Sequence, residues 1–320
     1  MPGQSHAAGP FKKLLVATDF SPHADAALRS AVWLAQQSAG ELALAHVVVD
    51  AATIATFSYE AVIAQDSERV ERELRRDSDE RLAAIEREAG MTGVRLRRMT
   101  LAGLPFVALT HAVQREDYDL VVCGSRGYSG FREFLVGSTA KRLIRKCPSD
   151  VWITHSGLPA TPTVIVAAVD FSELSRKALV NAHWVAQAAA APLHIVHVLE
   201  PRTLDAPLLE AVCRRSGHNW QDEMRKAARR HLQAFVEEAV GNSLELTLRV
   251  DFGVPWEYIR DTARFVKADL VVMGTVGRSG VQGIWLGNTA EKLLGVMDCA
   301  VLTVKPPGFV SAIPPLSSHR

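Results

Sequence analysis

The chain has 320 residues, of which 48% are hydrophobic and 22% are charged, a composition typical of globular proteins. A formal net charge of +1 argues against a nucleic-acid-binding protein. The four cysteines form no Cys-x-x-Cys pair, which disfavours a zinc site or a disulfide scaffold and suits a reducing compartment. The sequence has no run of 18 apolar residues and no signal-peptide pattern, so we expect a cytoplasmic protein without nucleic-acid or membrane partners.

Strand and helix signals alternate along the first half of the chain. An apolar run predicts a strand over 13–18, and Ser21-Pro22 predicts the N-cap and first residue of a helix that reaches about residue 38. The remaining pattern predicts strands over 42–49, 94–101, 119–123 and 150–155, and helices over 57–89, 105–114 and 138–146. The same order restarts at Val164.

Distinctive residues recur at an offset of 150 or 151. Asp19 and Asp170, each in Asp-Phe-Ser, lie 151 residues apart, and Gly103 and Gly253 lie 150 apart. This predicts two tandem domains, 11–157 and 162–307, and a proline-rich irregular tail over 308–320. We expect each domain to be α/β, an open, twisted five-stranded parallel sheet of order 3-2-1-4-5 with helices on both faces.

Two glycine frames are the strongest functional signal. The first is Gly124-x-x-Gly127, nine residues, then Gly137-Ser138; the second is Gly274-x-x-Gly277, nine residues, then Gly287-Asn288. Each follows an apolar run and precedes a helix-like segment. Glycines can adopt a positive φ and leave backbone N–H groups accessible, which predicts a phosphate site. The competing interpretation is a tight strand–helix connection with Ser138 and Asn288 as N-caps.

The frame is neither a Walker A loop nor a dinucleotide-binding Gly-x-Gly-x-x-Gly. It resembles that of the universal stress protein family, whose nucleotide-binding members carry Gly-x2-Gly-x9-Gly-Ser/Thr. The resemblance includes the opening segment 14–21, His46-Val47 and Gly103-x-Pro105, and it extends along both domains. The second domain looks like the second half of tandem bacterial members.

The resemblance implies a pocket for ATP or AMP, with Mg²⁺ as the ion that accompanies ATP. Asp19 would hold the ribose or the nearby backbone, Val47 would receive adenine through its main chain, and Arg126 would contact ribose and phosphates. The site residues implied in the first domain are Ala17, Asp19, Val47, Gly124, Arg126, Gly127, Gly137, Ser138 and Thr139. Those implied in the second domain are Asp170, Val198, Gly274, Gly277, Gly287 and Asn288.

The second domain departs from this pattern, because Val276 replaces Arg126 and Asn288 replaces Ser138. The favoured function is therefore regulatory binding of an adenine nucleotide in the first domain, with weaker phosphate chemistry in the second. One alternative is a slow ATP hydrolase, although the frame has neither a carboxylate pair with metal spacing nor a clear base. The other is a sensor or carrier of an apolar small molecule beside Val276, Ile284 and Trp285.

Three further expectations concern the surroundings of the frames. Asp19 and Asp170 have an alternative role in their turns, since aspartate suits that position. His46 and His197 lie in apolar runs and are expected to be core histidines. The family resemblance also implies that the last strands of the two domains pair as an intrachain pseudo-dimer, and that two chains form a homodimer.

Overall fold

The computed structural model describes residues 9–50, 67–127, 136–200, 219–241, 246–276 and 286–316. The chain forms two compact units. One ends at Thr161 and also includes the chain from Gly308 onwards, and the other spans Pro162–Pro307. These units are called domain 1 and domain 2 below.

Domain 1 alternates strands and helices. Its strands are β1 (Lys13–Thr18), β2 (Glu41–Val48), β3 (Leu96–Ala102), β4 (Leu120–Gly124) and β5 (Asp150–Thr154). Its helices are α1 (Pro22–Ser38), α2 (Ser67–Gly90), α3 (Pro105–Glu116) and α4 (Ser138–Lys146). Predicted boundaries agree within about two residues wherever they can be compared, and residues 57–66 of the predicted helix lie outside the described residues.

Domain 2 repeats this order. Its strands are β6 (Ile165–Ala168), β7 (Leu193–Leu199), β8 (Leu246–Phe252), β9 (Leu270–Gly274) and β10 (Ala300–Val304). Its helices are α5 (Glu173–Ala189), α6 (Trp220–Val240), α7 (Pro255–Phe265) and α8 (Asn288–Val296).

The strand order confirms the predicted fold class. All neighbouring strands within a domain pair in parallel, in the order β3-β2-β1-β4-β5 in domain 1 and β8-β7-β6-β9-β10 in domain 2. Because β1 lies between β2 and β4, the chain reverses its direction of winding there, and the carboxyl ends of β1 and β4 border a crevice. The equivalent crevice in domain 2 lies between β6 and β9.

The central strands supply the core of each domain. In β1, Leu14, Leu15 and Val16 are fully buried, as are Leu270, Val271 and Val272 in β9. Such continuous apolar runs are typical of strands covered by helices on both faces. Helix α3 packs against α4, and in domain 2 α5 packs against α6 and α7 against α8. The carboxyl ends of the strands are thereby fixed relative to the helices that follow them.

Candidate functional site

Asp19 lies next to the first glycine frame at the switch point of domain 1, the place between β1 and β4 where the direction of winding reverses. Ala17 of β1 is paired with Cys123 of β4, so the turn after β1 lies beside the frame that begins at Gly124. Gly127 passes so close to this turn that a Cβ atom added there would overlap Oδ2 of Asp19. The two strongest sequence signals of domain 1 are therefore in direct contact.

The turn after β1 holds Asp19 in a fixed orientation. Asp19 Oδ1 accepts a hydrogen bond of 3.1 Å from the backbone N–H of Ser21. Ser21 then caps α1 by accepting from the Ala24 N–H at 3.3 Å, as predicted. One carboxylate oxygen of Asp19 therefore stabilises the turn, as the alternative interpretation of this residue expected. The other oxygen faces Gly127.

An aromatic residue with a left-handed backbone conformation follows the aspartate in the turn after β1 and in the equivalent turn after β6. Phe20 has φ 63° and Phe171 has φ 65°, which is costly for residues with a bulky side chain. The ring of Phe20 lies 4.5 Å from that of His46, with the Arg81 guanidinium 3.7 Å from the Phe20 centroid. Packing on both sides stabilises the unusual backbone and, with it, the position of the neighbouring aspartate.

Of the two histidines in the apolar runs, His197 is buried, as expected, whereas His46 is only half-buried. His46 Nδ1 lies 2.7 Å from the carbonyl oxygen of Thr18, and His197 Nδ1 lies 2.8 Å from that of Val169. A carbonyl oxygen only accepts, so each Nδ1 carries the proton. These hydrogen bonds tie the two rings to the carboxyl ends of β1 and β6, and His197 also lines the cleft at the carboxyl ends of β6 and β9.

Space, rather than a positive φ, explains the glycines at the start of the frames. The expectation of a positive φ at Gly124 and Gly127 is wrong, since neither adopts one. A Cβ atom at Gly124 would lie 2.8 Å from the backbone carbon of His23, and one at Gly274 would lie 2.9 Å from Cγ of Leu174. Helices α1 and α5 therefore approach the frames as closely as glycine allows.

The last glycine of each frame is itself the helix N-cap. Gly137 precedes α4 with φ −63° and ψ 161°, Gly287 precedes α8 with φ −71° and ψ 154°, and neither helix start has a side-chain cap. Each glycine instead donates its N–H back to the frame, to the Ser125 oxygen at 2.6 Å and to the Thr275 oxygen at 2.7 Å. The interpretation of Ser138 and Asn288 as N-caps is therefore wrong. Both helices begin with backbone N–H groups that no side chain caps, directed towards the crevice end of the frame.

Charge separates the two frames. In domain 1, Arg126 is part of the frame, and its buried Nε makes no hydrogen bond to any residue in the described ranges. Helix α4 carries four basic residues and no acidic one, whereas α8 carries one of each sign. Val276 occupies the position of Arg126 in domain 2. Counting only the described residues, the first frame and its helix are thus cationic, whereas the second frame and its helix are close to neutral.

Domain 2 contains an open cleft of about 770 Å³ at its switch point. Five of the predicted site residues line it, namely Asp170, Val198, Gly274, Gly287 and Asn288. The sixth, Gly277, lies outside the described residues, as do Ile284 and Trp285. The repeat-based prediction therefore placed the described members of this set around one cavity.

Other residues of the cleft escaped the sequence analysis. Glu200, Trp256, Glu257 and Lys292 line it. Their equivalents in domain 1 are Val49, Phe106, Val107 and Arg142, so a position-by-position comparison of the repeats is the signal that could have revealed them. With Asp170, the described lining of the cleft has three carboxylates and one ammonium group. Its wall also includes apolar side chains such as Val198, Ile259 and Met273.

The described part of the chain has neither a metal-binding cluster nor a membrane-spanning helix. Within it, no group of three or more histidine, cysteine and carboxylate side chains is placed to hold a metal ion. In the same part of the chain, no helix is both long and apolar enough to span a bilayer.

Comparison with known proteins identifies the fold and the duplication. The sequence profile of the Universal stress protein family matches the chain twice, over residues 10–155 and 163–305. The chain belongs to this family. Universal stress protein E of Escherichia coli strain K12 is 27% identical over 319 residues, covering 95% of this chain and 96% of the relative. Universal stress protein E of Photorhabdus laumondii is 24% identical, covering 93% of this chain and 96% of the relative.

Solved structures of family members share the architecture. A universal stress protein from Archaeoglobus fulgidus superposes with a TM-score of 0.63 at 20% identity, covering 91% of this chain and 97% of that one. A putative universal stress protein from Pseudomonas aeruginosa gives 0.65 at 21% identity, covering 92% and 94%. More than nine-tenths of this universal stress protein thus matches a known fold.

Proposed function

We propose that this chain is a cytoplasmic stress-response protein whose domain 1 binds an adenine nucleotide, ATP or AMP, as a regulatory ligand. Two neighbouring features of domain 1 carry the proposal. Arg126 has a buried Nε without a hydrogen bond in the described residues, and it lies beside Gly137, where α4 begins without a side-chain cap. A phosphate group suits both features, because guanidinium groups and free helix N–H groups are strong donors to anions.

The positions of the remaining site residues support this assignment. Arg126 and the backbone N–H groups of Ser138 and Thr139 would hold the phosphates, and Asp19 would hold the ribose. Val47 lies one residue beyond the last β2 residue paired with β1, which leaves its main chain at the crevice edge for adenine. Ala17 and Gly127 would supply close-packed walls. Mg²⁺ would enter with ATP, between the phosphates.

Calorimetric titration tests the proposal. Wild-type protein should bind ATP or AMP, and Arg126→Val, which copies domain 2, should weaken binding about tenfold or more through loss of a charge-assisted hydrogen bond. Gly127→Asp should abolish binding in domain 1 by repulsion of phosphate, while Gly277→Asp is the matched change in domain 2. If neither ATP nor AMP bound to the protein at millimolar nucleotide concentration, the proposal would be wrong.

We propose binding rather than hydrolysis as the biochemical role. Phosphoryl transfer needs a positioned nucleophile and charge neutralisation, usually by metal ions held by carboxylates. Phosphate release should therefore be slow and only weakly affected by Asp19→Asn. Turnover that depended steeply on Asp19 and on one defined metal would favour the hydrolase alternative.

A second ligand class is proposed for domain 2. Its 770 Å³ cleft is large enough for a small organic molecule, but its carboxylates outnumber its one lysine. We infer that it takes an uncharged, largely apolar molecule rather than a polyphosphate. Extraction of the native protein followed by mass spectrometry should release such a molecule, and recovery of nucleotide alone would contradict the idea.

We also propose that two chains form a homodimer, as the family resemblance implies. Light scattering coupled to gel filtration should give about twice the chain mass of 34.9 kDa. A mass equal to one chain at micromolar concentration would argue against it.

A further inference from the structure

His23 connects the glycine frame of domain 1 to the chain segment that leads out of the domain. It is the second residue of α1, directly behind Gly124. Its Nδ1 accepts a hydrogen bond of 2.9 Å from the backbone N–H of Ser156, and the Ser125 hydroxyl lies 3.4 Å from the same nitrogen. Ser156 begins the segment 156–161 that follows β5 and ends at the boundary of domain 1.

The bond to Ser156 exists only while His23 is neutral. An amide N–H can only donate, so Nδ1 must present a lone pair to it. Protonation converts both ring nitrogens into donors. Nδ1–H would then oppose the Ser156 N–H, and the bond would be lost together with the anchor of segment 156–161.

The surroundings of His23 hold it in the neutral form. Burial lowers its pKa, the positive charge of Arg126 lowers it further, and the carboxylate of Asp19 raises it. Asp25, on the same helix, is exposed to solvent. An anion beside Arg126 would offset the cation that opposes protonation and would act in the same direction as Asp19.

Domain 2 lacks both members of this pair. The position equivalent to His23 is Leu174, which contacts the frame at Gly274 in the same way but cannot titrate. The position equivalent to Ser156 is Pro306, which has no N–H to donate. The pair is therefore specific to the domain with the cationic frame and is not a requirement of the fold.

We propose that His23 is a phosphate-responsive positioning residue: a phosphate group bound at Arg126 favours its protonated form, which releases the Ser156 N–H and loosens segment 156–161. The source of that phosphate rests on the proposed nucleotide site. The release by protonation rests on the hydrogen bond alone and is open to test without any ligand.

The test follows two signals in the full-length protein by NMR. One is the imidazole titration of His23, and the other is the exchange of the Ser156 amide, expressed as a protection factor so that the intrinsic effect of pH is removed. Without ligand, protection of Ser156 should fall about fivefold, the loss of one hydrogen bond, as pH falls through the His23 titration. With saturating ATP, both changes should move to higher pH.

Two variants separate the anchor from the switch. In His23→Asn the side-chain oxygen can replace Nδ1 as acceptor but cannot titrate, so Ser156 should stay protected and become insensitive to pH and to ATP. In His23→Leu, which copies Leu174, Ser156 should be unprotected at every pH. A merely structural role of His23 would alter stability without removing these two dependences.

The outcomes distinguish this inference from the proposed function. If His23 titrates while Ser156 protection stays constant in the ligand-free protein, the switch is wrong whatever the ligand. If calorimetry shows ATP bound but the His23 titration does not move, the coupling to phosphate is wrong. If calorimetry shows no nucleotide binding, the proposed function fails, and the ligand-free pH series still decides whether His23 controls Ser156.

Discussion

Gly127 shows how a single missing methyl group can determine a site. Its backbone runs against the Asp19 carboxylate, which is itself tied to the Ser21 N–H. A side chain at position 127 would push that carboxylate out of the turn or move the frame away from β1. The glycine is required by the approach of two segments, a requirement that no φ angle reveals.

Gly127→Ala should therefore weaken nucleotide binding at domain 1 by at least about tenfold, equivalent to about 1.4 kcal/mol. Forcing a methyl group into this contact should also lower the free energy of unfolding by about 1–3 kcal/mol. Calorimetric titration and urea denaturation measure the two effects. Gly90→Ala is the matched control, since its Cβ would meet no atom within 4 Å and should leave affinity unchanged. Equal affinities for all three proteins would refute the steric argument.

The C-terminal tail is an element of domain 1 although it follows domain 2 in the sequence. No helix or strand occurs in its described part, residues 308–316. It is held by contacts with α3 and α4: Gln114 Nε2 donates to the Ile313 oxygen at 2.9 Å, and Ser311 Oγ donates to the Lys146 oxygen at 2.6 Å. The side chain of Ile313 is only 7% exposed. This segment covers the helices that follow β3 and the glycine frame.

Ile313→Ala should destabilise domain 1 by about 2 kcal/mol, because it removes buried apolar surface at the α3–α4 side of the domain. Hydrogen exchange of α3 should rise in proportion, while exchange in α7 of domain 2 stays unchanged. Leu316→Ala, at a position that is 65% exposed, should have almost no effect. Similar protection of α3 in both variants would show that the tail only rests on the surface.

The same elements show what the sequence could and could not predict. Alternating apolar runs and helix signals predict a parallel sheet with helices on both faces, for which 3-2-1-4-5 is one of a few common strand orders. The meeting of Asp19 with the frame followed from that order. The cap at Gly137 was not predictable, since it depends on the Ser125 carbonyl. Nor was the pair of His23 and Ser156, which are 133 residues apart and share no local pattern.

The comparison of the two repeats predicts a difference in charge between the crevices of domain 1 and domain 2. Replacing two of the three described cleft carboxylates of domain 2, with Glu200→Val and Glu257→Val, restores the side-chain types of domain 1 at those positions. Together with Val276→Arg, this should raise the affinity of domain 2 for ATP at least about tenfold. Titration in a Gly127→Asp background isolates the second site. No gain in ATP affinity would mean that charge is not what distinguishes the two clefts.

At the scale of the whole molecule, duplication has produced two copies of one fold with different chemistry. Domain 1 retains Arg126, a basic α4 and the titratable His23. Domain 2 has Val276, a near-neutral α8 and Leu174 at the same positions. At these described positions the two copies therefore differ in the chemistry of their side chains. This difference in side chains suits a protein in which domain 1 binds a charged ligand and domain 2 does not.

The two copies should also respond differently to acid. Burial lowers the pKa of His183 in α5 and of His194 in β7, and Arg249 lowers that of His194 further; domain 1 has His23, whose pKa is also lowered. His183 Nε2 and His194 Nδ1 are buried and make no hydrogen bond within the described residues. A charged imidazole would therefore be poorly accommodated at either position of domain 2.

Because these folded-state pKa values lie below the ordinary value near 6.5, the unfolded chain binds more protons as pH falls below about 6.5. Stability is then complete above that pH and declines below it, until the folded pKa values are reached. Paired carboxylates such as Asp251 and Asp261 have lowered pKa values and lose their contribution only at more acid pH. The window from pH 7 to 5.5 thus reports on histidines.

Hydrogen exchange of the full-length protein, with intrinsic rates corrected, should show that both domains lose protection between pH 7.5 and 5.5. Domain 2 should lose more, because it holds two of the three described histidines whose pKa is lowered, His183 and His194. His183→Met fills the buried site with an apolar side chain of similar size, so it should flatten the pH dependence of α5 and β7 and leave β1 and α1 as in the wild type. A larger loss in domain 1, or an unchanged slope in the variant, would show that burial of these histidines does not set the acid sensitivity.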